Sequence, residues 1–348
     1  MRGMLRRPFS ALAVAGVVSL SVPAVWAQAS APAGDGPAQA RDVRAWLMRI
    51  HEAATHRNFQ GTFVVTGGGA VSSARIAHFC EGTNEFERSE SLDGQARHVF
   101  LHNVVVTTVW PGAHVATVEQ RALVSEFPAL LQAGDDKITE FYDVRKQGVE
   151  RVAGYDANVL VVMPRDNYRY GYRLWADQAT GLLLRADVLG DRNEVLETSA
   201  FSDIAINVKA QPESVLVPMK KLDTYRVSRP VLTPTKLEAE GWLQRQTAPG
   251  FRQVSCVKRP MDAMAPNDGK VSAVEQQVLQ SIYADGLTYV SVFIEPYNPQ
   301  RHTRPMLASV GPTQTLMQQQ GDWWITVVGD VPPATLRVFA KGLERLKK

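Results

Sequence analysis

Apolar and polar residues alternate along this chain in two rhythms. Between 42 and 58 the apolar positions Val43, Trp46, Leu47, Ile50 and Ala54 recur every three to four residues, the spacing that places them on one face of a helix, with Asp42 as its N-cap. From Gly61 the period shortens to two. Strands are predicted at 61–66, 71–79, 84–92, 96–102, 104–110, 114–119, 159–163, 168–176, 182–189 and 194–206. Gly67-Gly68-Gly69, Asp93-Gly94 and Pro111-Gly112 are the turn residues between them. About ten strands with almost no helical stretch between them require one antiparallel sheet rather than βαβ units; a short helix is predicted at 127–132.

The strand rhythm stops between 211 and 236, where Pro212, Pro218, Pro230 and Pro234 gather. It resumes at 253–258, 274–283, 288–295, 306–310, 313–318 and 323–328, a smaller sheet. Pro332-Pro333 then opens a closing helix with an apolar face of Leu336, Phe339, Leu343 and Leu346. The pattern divides the chain into an N-terminal segment, a large β domain at 41–210, a linker at 211–236 and a small domain at 237–348. The class is α+β, mostly antiparallel β, with helices covering the sheets.

The N-terminal segment has the composition of an export signal: Arg2, Arg6 and Arg7, an apolar run at 11–22, and a small-residue cleavage site at Val25-Trp26-Ala27, with a second after Ala29. The signal is assigned to 1–27, and 28–40, made of Ala, Pro, Gly and Ser with little charge, to a flexible leader. The apolar run is shorter than the ~20 residues of a membrane span. No cysteine follows it, which argues against lipid anchoring. A soluble periplasmic protein is expected.

Charge then loses its diagnostic value. The chain holds 38 Lys and Arg against 35 Asp and Glu; without the three signal arginines the count is 35 against 35. No basic excess remains to attract nucleic acid. The only two cysteines, Cys80 and Cys256, fall in different domains. A disulfide between them and two buried thiols are both open readings.

Signatures of catalysis are missing: no Gly-x-Ser-x-Gly elbow, His-Glu-x-x-His helix or phosphate-binding glycine loop occurs. His98 and His102 share a strand face but lie ~13 Å apart by strand rise, too far to hold one ion. His51 and His56 fall on different helix faces, and His78, His114 and His302 stand alone. No enzyme, cofactor or metal is expected. Tyr168, Tyr170 and Tyr172 alternate along one strand; they are either a core stripe or, with Phe63 and Trp46, the wall of an acyl-chain cavity. Trp323-Trp324 places one indole on each face of a strand, as a partner-binding anchor or as the rim of the smaller core.

Four stretches in fixed order carry a resemblance: Asn58-Phe59-Gln60-Gly61-Thr62-Phe63; Pro249-Gly250-Phe251; Tyr283-Ala284-Asp285-Gly286-Leu287 with Ser291-Val292-Phe293; and Val327-Val328-Gly329-Asp330-Val331-Pro332-Pro333. Together they resemble the RseB/MucB family of sigma-E regulators over nearly the whole mature chain. The resemblance implies a large domain like the lipoprotein carriers LolA and LolB, an incomplete barrel around a helix, and a small domain that contacts an anti-sigma factor. It implies binding to the periplasmic segment of RseA or MucA, shielding of that segment from the site-1 protease DegS, and release by lipopolysaccharide or other acylated lipid. The protein would then sit at the inner membrane only through its partner, with self-association open. Tyr283, Asp285, Gly286 and Leu287 become a candidate partner-facing turn, although Asp-Gly is equally a plain hairpin signature. A periplasmic lipid or lipoprotein carrier is the first rival, and an unrecognised hydrolase the second.

Overall fold

The computed structural model describes residues 37–120, 138–260, 277–302 and 304–346. The signal, most of the leader and the helix expected at 127–132 lie outside them. The first helix, α1 (Pro37–His56), starts four residues inside the expected leader. Its Leu47, Ile50 and Ala53 are buried, and Arg49 ties it to the sheet by donating to the carbonyls of Gln178 and Ala179.

A twelve-stranded sheet follows. Its first six strands are β1 (Phe59–Gly67), β2 (Ala70–Glu81), β3 (Asn84–Ser91), β4 (His98–His102), β5 (Val105–Trp110) and β6 (Val115–Gln120). After a short α2 (Ile138–Phe141) come β7 (Tyr142–Val152), β8 (Tyr155–Pro164), β9 (Gly171–Asp177), β10 (Leu183–Leu189) and β11 (Val195–Ile206). The strands form two antiparallel meanders, β1–β6 and β7–β11, that join in the middle of the sheet where β11 returns to pair antiparallel with β1. Gly61 permits that return: a Cβ there would lie 2.3 Å from the Asp203 carbonyl oxygen and 3.1 Å from the Phe201 ring.

The expected linker is ordered. Residues 213–220 form α3 (Glu213–Lys220), whose Val215 is fully buried against Ala77, Phe79, Phe86 and Phe100 of the large sheet. Beyond it, β12 (Arg226–Ser228) adds to β6 in parallel, a pairing absent from the expected all-antiparallel sheet. Prolines mark where this strap turns. They do not make it loose, because its apolar side chains cover one end of the large core.

The second sheet has the order β13-β15-β16-β17-β20-β19-β18, built from β13 (Thr233–Pro234), β15 (Arg252–Pro260), β16 (Gln277–Ala284), β17 (Tyr289–Pro296), β18 (Met306–Val310), β19 (Thr313–Gln320) and β20 (Trp323–Gly329). The closing helix, α4 (Pro333–Gly342), is shorter than its apolar pattern suggested: β21 (Leu343–Arg345) pairs with β14 (Trp242–Gln244). Leu343 is therefore buried in strand conformation, while Leu346 is exposed. Among the described residues the apolar side chains form four clusters, and two of them cross the domain boundary: Leu287 of the second domain packs among Tyr142, Leu160, Tyr172 and Leu174 of the first, and Tyr168 of the first packs on the core of the second.

Gly61→Ala would force β11 away from β1, and a loss of about 1–3 kcal/mol is expected from such overpacking. Urea unfolding of the variant against the native chain checks this; an unchanged midpoint would show that the bulge between Thr62 and Phe63 absorbs the methyl group.

Candidate functional site

The hairpin that joins β16 to β17 points into the first domain. Asp285 at its tip is 4% exposed. Its Oδ1 accepts the backbone N–H groups of Leu287 and Thr288, both at 2.9 Å, which folds the turn. Its Oδ2 accepts the Tyr142 hydroxyl at 2.9 Å and Arg169 Nε at 2.6 Å. Arg169 is 1% exposed; it also donates to Asp166 and to the Pro249 carbonyl, and its guanidinium lies over the rings of Phe141 and Phe251, at 4.4 and 5.2 Å from their centroids. Burial is the largest single influence and works against the Arg169 charge, but Asp285, Tyr142 and Asp166 together outweigh it and raise its pKa. Burial, then the Asp285 charge, push the Tyr142 hydroxyl well above its ordinary range.

Two of the stretches that carried the resemblance meet here for steric reasons. Gly250 adopts φ +81°, and a Cβ on it would lie 2.6 Å from the Phe141 ring and 2.7 Å from Arg169 Nη2, so Pro249-Gly250-Phe251 is the surface against which the arginine is clamped. The Tyr283–Leu287 turn is the other half. Tyr283, 3% exposed, packs on Phe339 of α4 with ring centroids 5.0 Å apart, and burial pushes its hydroxyl up to about 12. The turn thus faces the first domain and its own core, and Tyr283, Asp285, Gly286 and Leu287 are all buried.

Beside the clamp lies a cavity of about 460 Å³ between the large sheet and the second domain, a volume suited to a small apolar ligand. Phe59, Phe63, Phe201 and Val188 line it from the first domain; Leu287, Tyr289 and Asp330 line it from the second. Of the five residues expected to form an acyl-chain wall, Phe63 and Tyr172 line it. Tyr168 and Tyr170 precede β9, and so do not alternate with Tyr172 along one strand. Instead Tyr168 packs on the second core and accepts the Thr335 hydroxyl on its carbonyl, 2.7 Å away. Tyr170 is buried; its hydroxyl is pushed up to about 12 by burial and then by Asp191. Trp46 packs at the rim of the α1 cluster, with Lys146 5.3 Å from its ring centroid.

The Trp323-Trp324 pair divides between two faces, with Trp324 buried and Trp323 half-buried. Trp323 meets Trp242 edge-on at 5.6 Å, and Trp324 stacks on His302 at 4.8 Å. Cys80 and Cys256 are free. The disulfide reading is corrected on this point: Cys80 sits on β2 and donates to the Thr55 carbonyl at the end of α1, whereas Cys256 packs against the core of the second sheet. His78, read from sequence as solitary, has Glu87 Oε1 3.2 Å from its Nδ1.

Sequence reasoning missed Arg169, Tyr142 and Glu197. Arg169 sits between two tyrosines that drew attention for their periodicity, and no local pattern announces a buried cation whose partner is 116 positions away. Glu197 lines the cavity, and burial, then Asp330, raise its carboxyl above the usual carboxylate range. A raised native pKa means that the folded state holds this proton more tightly than the unfolded chain, so stability is lost as pH rises through the window above the ordinary carboxylate value of 4.5. Glu197→Gln is accordingly expected to be more stable than the native chain near neutral pH, an advantage that fades as pH falls to about 4. Paired thermal melts across that range check it. Gly250→Ala is expected to lower stability by about 1–3 kcal/mol by displacing Phe141 or Arg169, read as a shift in the urea midpoint.

The description of a MucB/RseB N-terminal domain matches residues 42–219, and that of a MucB/RseB C-terminal domain matches 236–344. The sigma factor AlgU regulatory protein MucB of Pseudomonas aeruginosa is 31% identical over 305 residues, 85% of this chain and 89% of that protein. The sigma-E factor regulatory protein RseB of Escherichia coli K12 is 25% identical over 301 residues, 86% of this chain and 90% of its own. A crystal structure of MucB in complex with MucA(peri) covers 88% of this chain and 100% of its own, with 27% identity and a TM-score of 0.64. Two family descriptions in the right order, with relatives aligned through both, leave one assignment: the chain belongs to the MucB/RseB family.

Proposed function

We propose that this protein is a non-enzymatic periplasmic regulator that grips the periplasmic segment of an anti-sigma factor of the RseA/MucA kind, shields it from site-1 proteolysis, and loosens that grip when an acylated envelope lipid enters the cavity between its domains. The observation that carries this reading is the composite nature of the cavity: Leu287, Tyr289 and Asp330 of the second domain close a space that Phe59, Phe63 and Phe201 begin. An acyl chain placed there touches both domains at once, so it can favour one interdomain arrangement over another.

A lipid shifts the balance only by its differential affinity for the free and partner-bound forms. A factor of ten needs ~1.4 kcal/mol, which two acyl methylenes at ~0.8 kcal/mol each supply. No covalent chemistry is required. The partner half of the proposal is supported by the MucB structure in complex with MucA(peri). Among the described residues no helix is long and apolar enough to cross a membrane. A lipid carrier built on the large domain alone would have no use for a second domain that completes the cavity.

The test is a pull-down of the mature chain with the periplasmic segment of the same organism's anti-sigma factor, with and without purified lipopolysaccharide. Binding that the lipid weakens is the expected result. Phe63→Arg, which places a cation in the apolar cavity, is expected to reduce binding of a fluorescent acyl probe at least about tenfold and to leave partner binding resistant to lipid. Failure to bind the segment at micromolar concentration, with acyl probe still bound, would transfer the reading to the carrier.

A further inference from the structure

A second polar cluster lies behind the cavity and takes no part in the clamp. His78 and Cys80 lie two apart on β2, so they share a face. His78 pairs directly with Glu87 of β3, and Cys80 with Glu85. The resulting square places three donor atoms within 4.8 Å of one another: one imidazole nitrogen and one oxygen from each carboxylate. His78 is 2% exposed, whereas the side chains of Glu85 and Glu87 are 30% and 39% exposed. One wall of the cluster is therefore closed and fixed, and the other opens to solvent.

From this geometry we infer that His78, Glu85 and Glu87 form a binding site for a divalent transition-metal ion, with zinc the best fit to one nitrogen and two oxygen donors. A tetrahedral zinc with bonds of ~2.0–2.1 Å holds its ligand atoms roughly 3.3 Å apart. His78 Nδ1 and Glu87 Oε1 already lie 3.2 Å apart, and Nδ1 and Glu85 Oε1 4.0 Å, a difference that a half-exposed glutamate closes by turning its carboxylate. Water completes the coordination from the open side.

Two further observations favour a cation here. The C-terminal end of α1 adds negative potential: the Thr55 carbonyl lies 3.0 Å from Cys80 Sγ, one residue before the helix ends. The far side of the ring offers a second partner, because Nε2 lies 3.4 Å from Cys80 Sγ; when an ion displaces the proton that Nδ1 shares with Glu87, Nε2 carries the ring proton towards that sulfur and the Nδ1 lone pair faces the carboxylates. Phe59, stacked on the imidazole at 5.3 Å and 9°, holds the ring plane and also lines the cavity, so an ion at this point stiffens the cavity wall.

The experiment is calorimetric titration of the full mature chain with zinc chloride, paired with thermal melts at about 100 µM zinc, where binding to the native state alone raises the transition. One equivalent bound and a raised melting temperature are expected for the native chain. In Glu85→Gln and Glu87→Gln, whose half-exposed side chains allow the fold to persist, the affinity should fall at least about tenfold. His98→Gln with His102→Gln should bind as the native chain does. No zinc bound at that concentration, binding undiminished by the glutamate substitutions, or binding lost instead with His98 and His102 would each overturn the assignment.

Discussion

Arg169 is a full positive charge held where no water reaches it. Such an ion is tolerable only if its donors are met by fixed acceptors, because an unpaired buried charge costs several kcal/mol. Asp285 supplies the principal one, from the other domain, and the Pro249 carbonyl and Asp166 take the remaining donors. Both members of the pair are inaccessible, and although Asp166 takes one donor from within the first domain, the Nε and Nη2 groups of Arg169 find their acceptors in the second. The relative placement of the two sheets follows from this requirement, since the arginine is useful only where the β16–β17 hairpin comes to meet it.

The cavity inherits its shape from that meeting. Asp285 folds the hairpin through the N–H groups of Leu287 and Thr288, and the fold carries Leu287 and Tyr289 to the boundary of the space that the phenylalanines of β1 and β11 leave open. A buried polar network and an adjoining apolar space thus have one structural origin. The arrangement suits the proposed regulator, because anything that moves the hairpin alters the cavity and the domain angle together.

Much of this was legible in the sequence, and the limits were physical. The period of two predicted strands at 61–66 and 194–206, and the structure has them at Phe59–Gly67 and Val195–Ile206. Tyr168 and Tyr170 obeyed the same alternation yet lie outside β9, because their partners are in the second domain: Thr335 donates to the Tyr168 carbonyl, and Gln314 bonds the Tyr170 hydroxyl. Periodicity within a strand cannot register a contact made 140 or more positions away. Prolines at 212–234 marked a linker, but nothing in their pattern announced that Val215 and its neighbours bury a face on the large sheet. The motif residues Gly61 and Gly250 were visible as landmarks, but the reasons for them, a close backbone approach and a left-handed turn against Phe141, belong to the folded chain.

The account depends most on the claim that the Arg169–Asp285 pair builds the cavity. Its most direct test is the affinity of a fluorescent acyl probe for Asp285→Ala, at a denaturant-free temperature where circular dichroism shows both sheets folded. The account predicts that the probe binds at least about tenfold more weakly, because Leu287 and Tyr289 no longer close the space. Probe binding equal to that of the native chain, with the clamp gone, would contradict it.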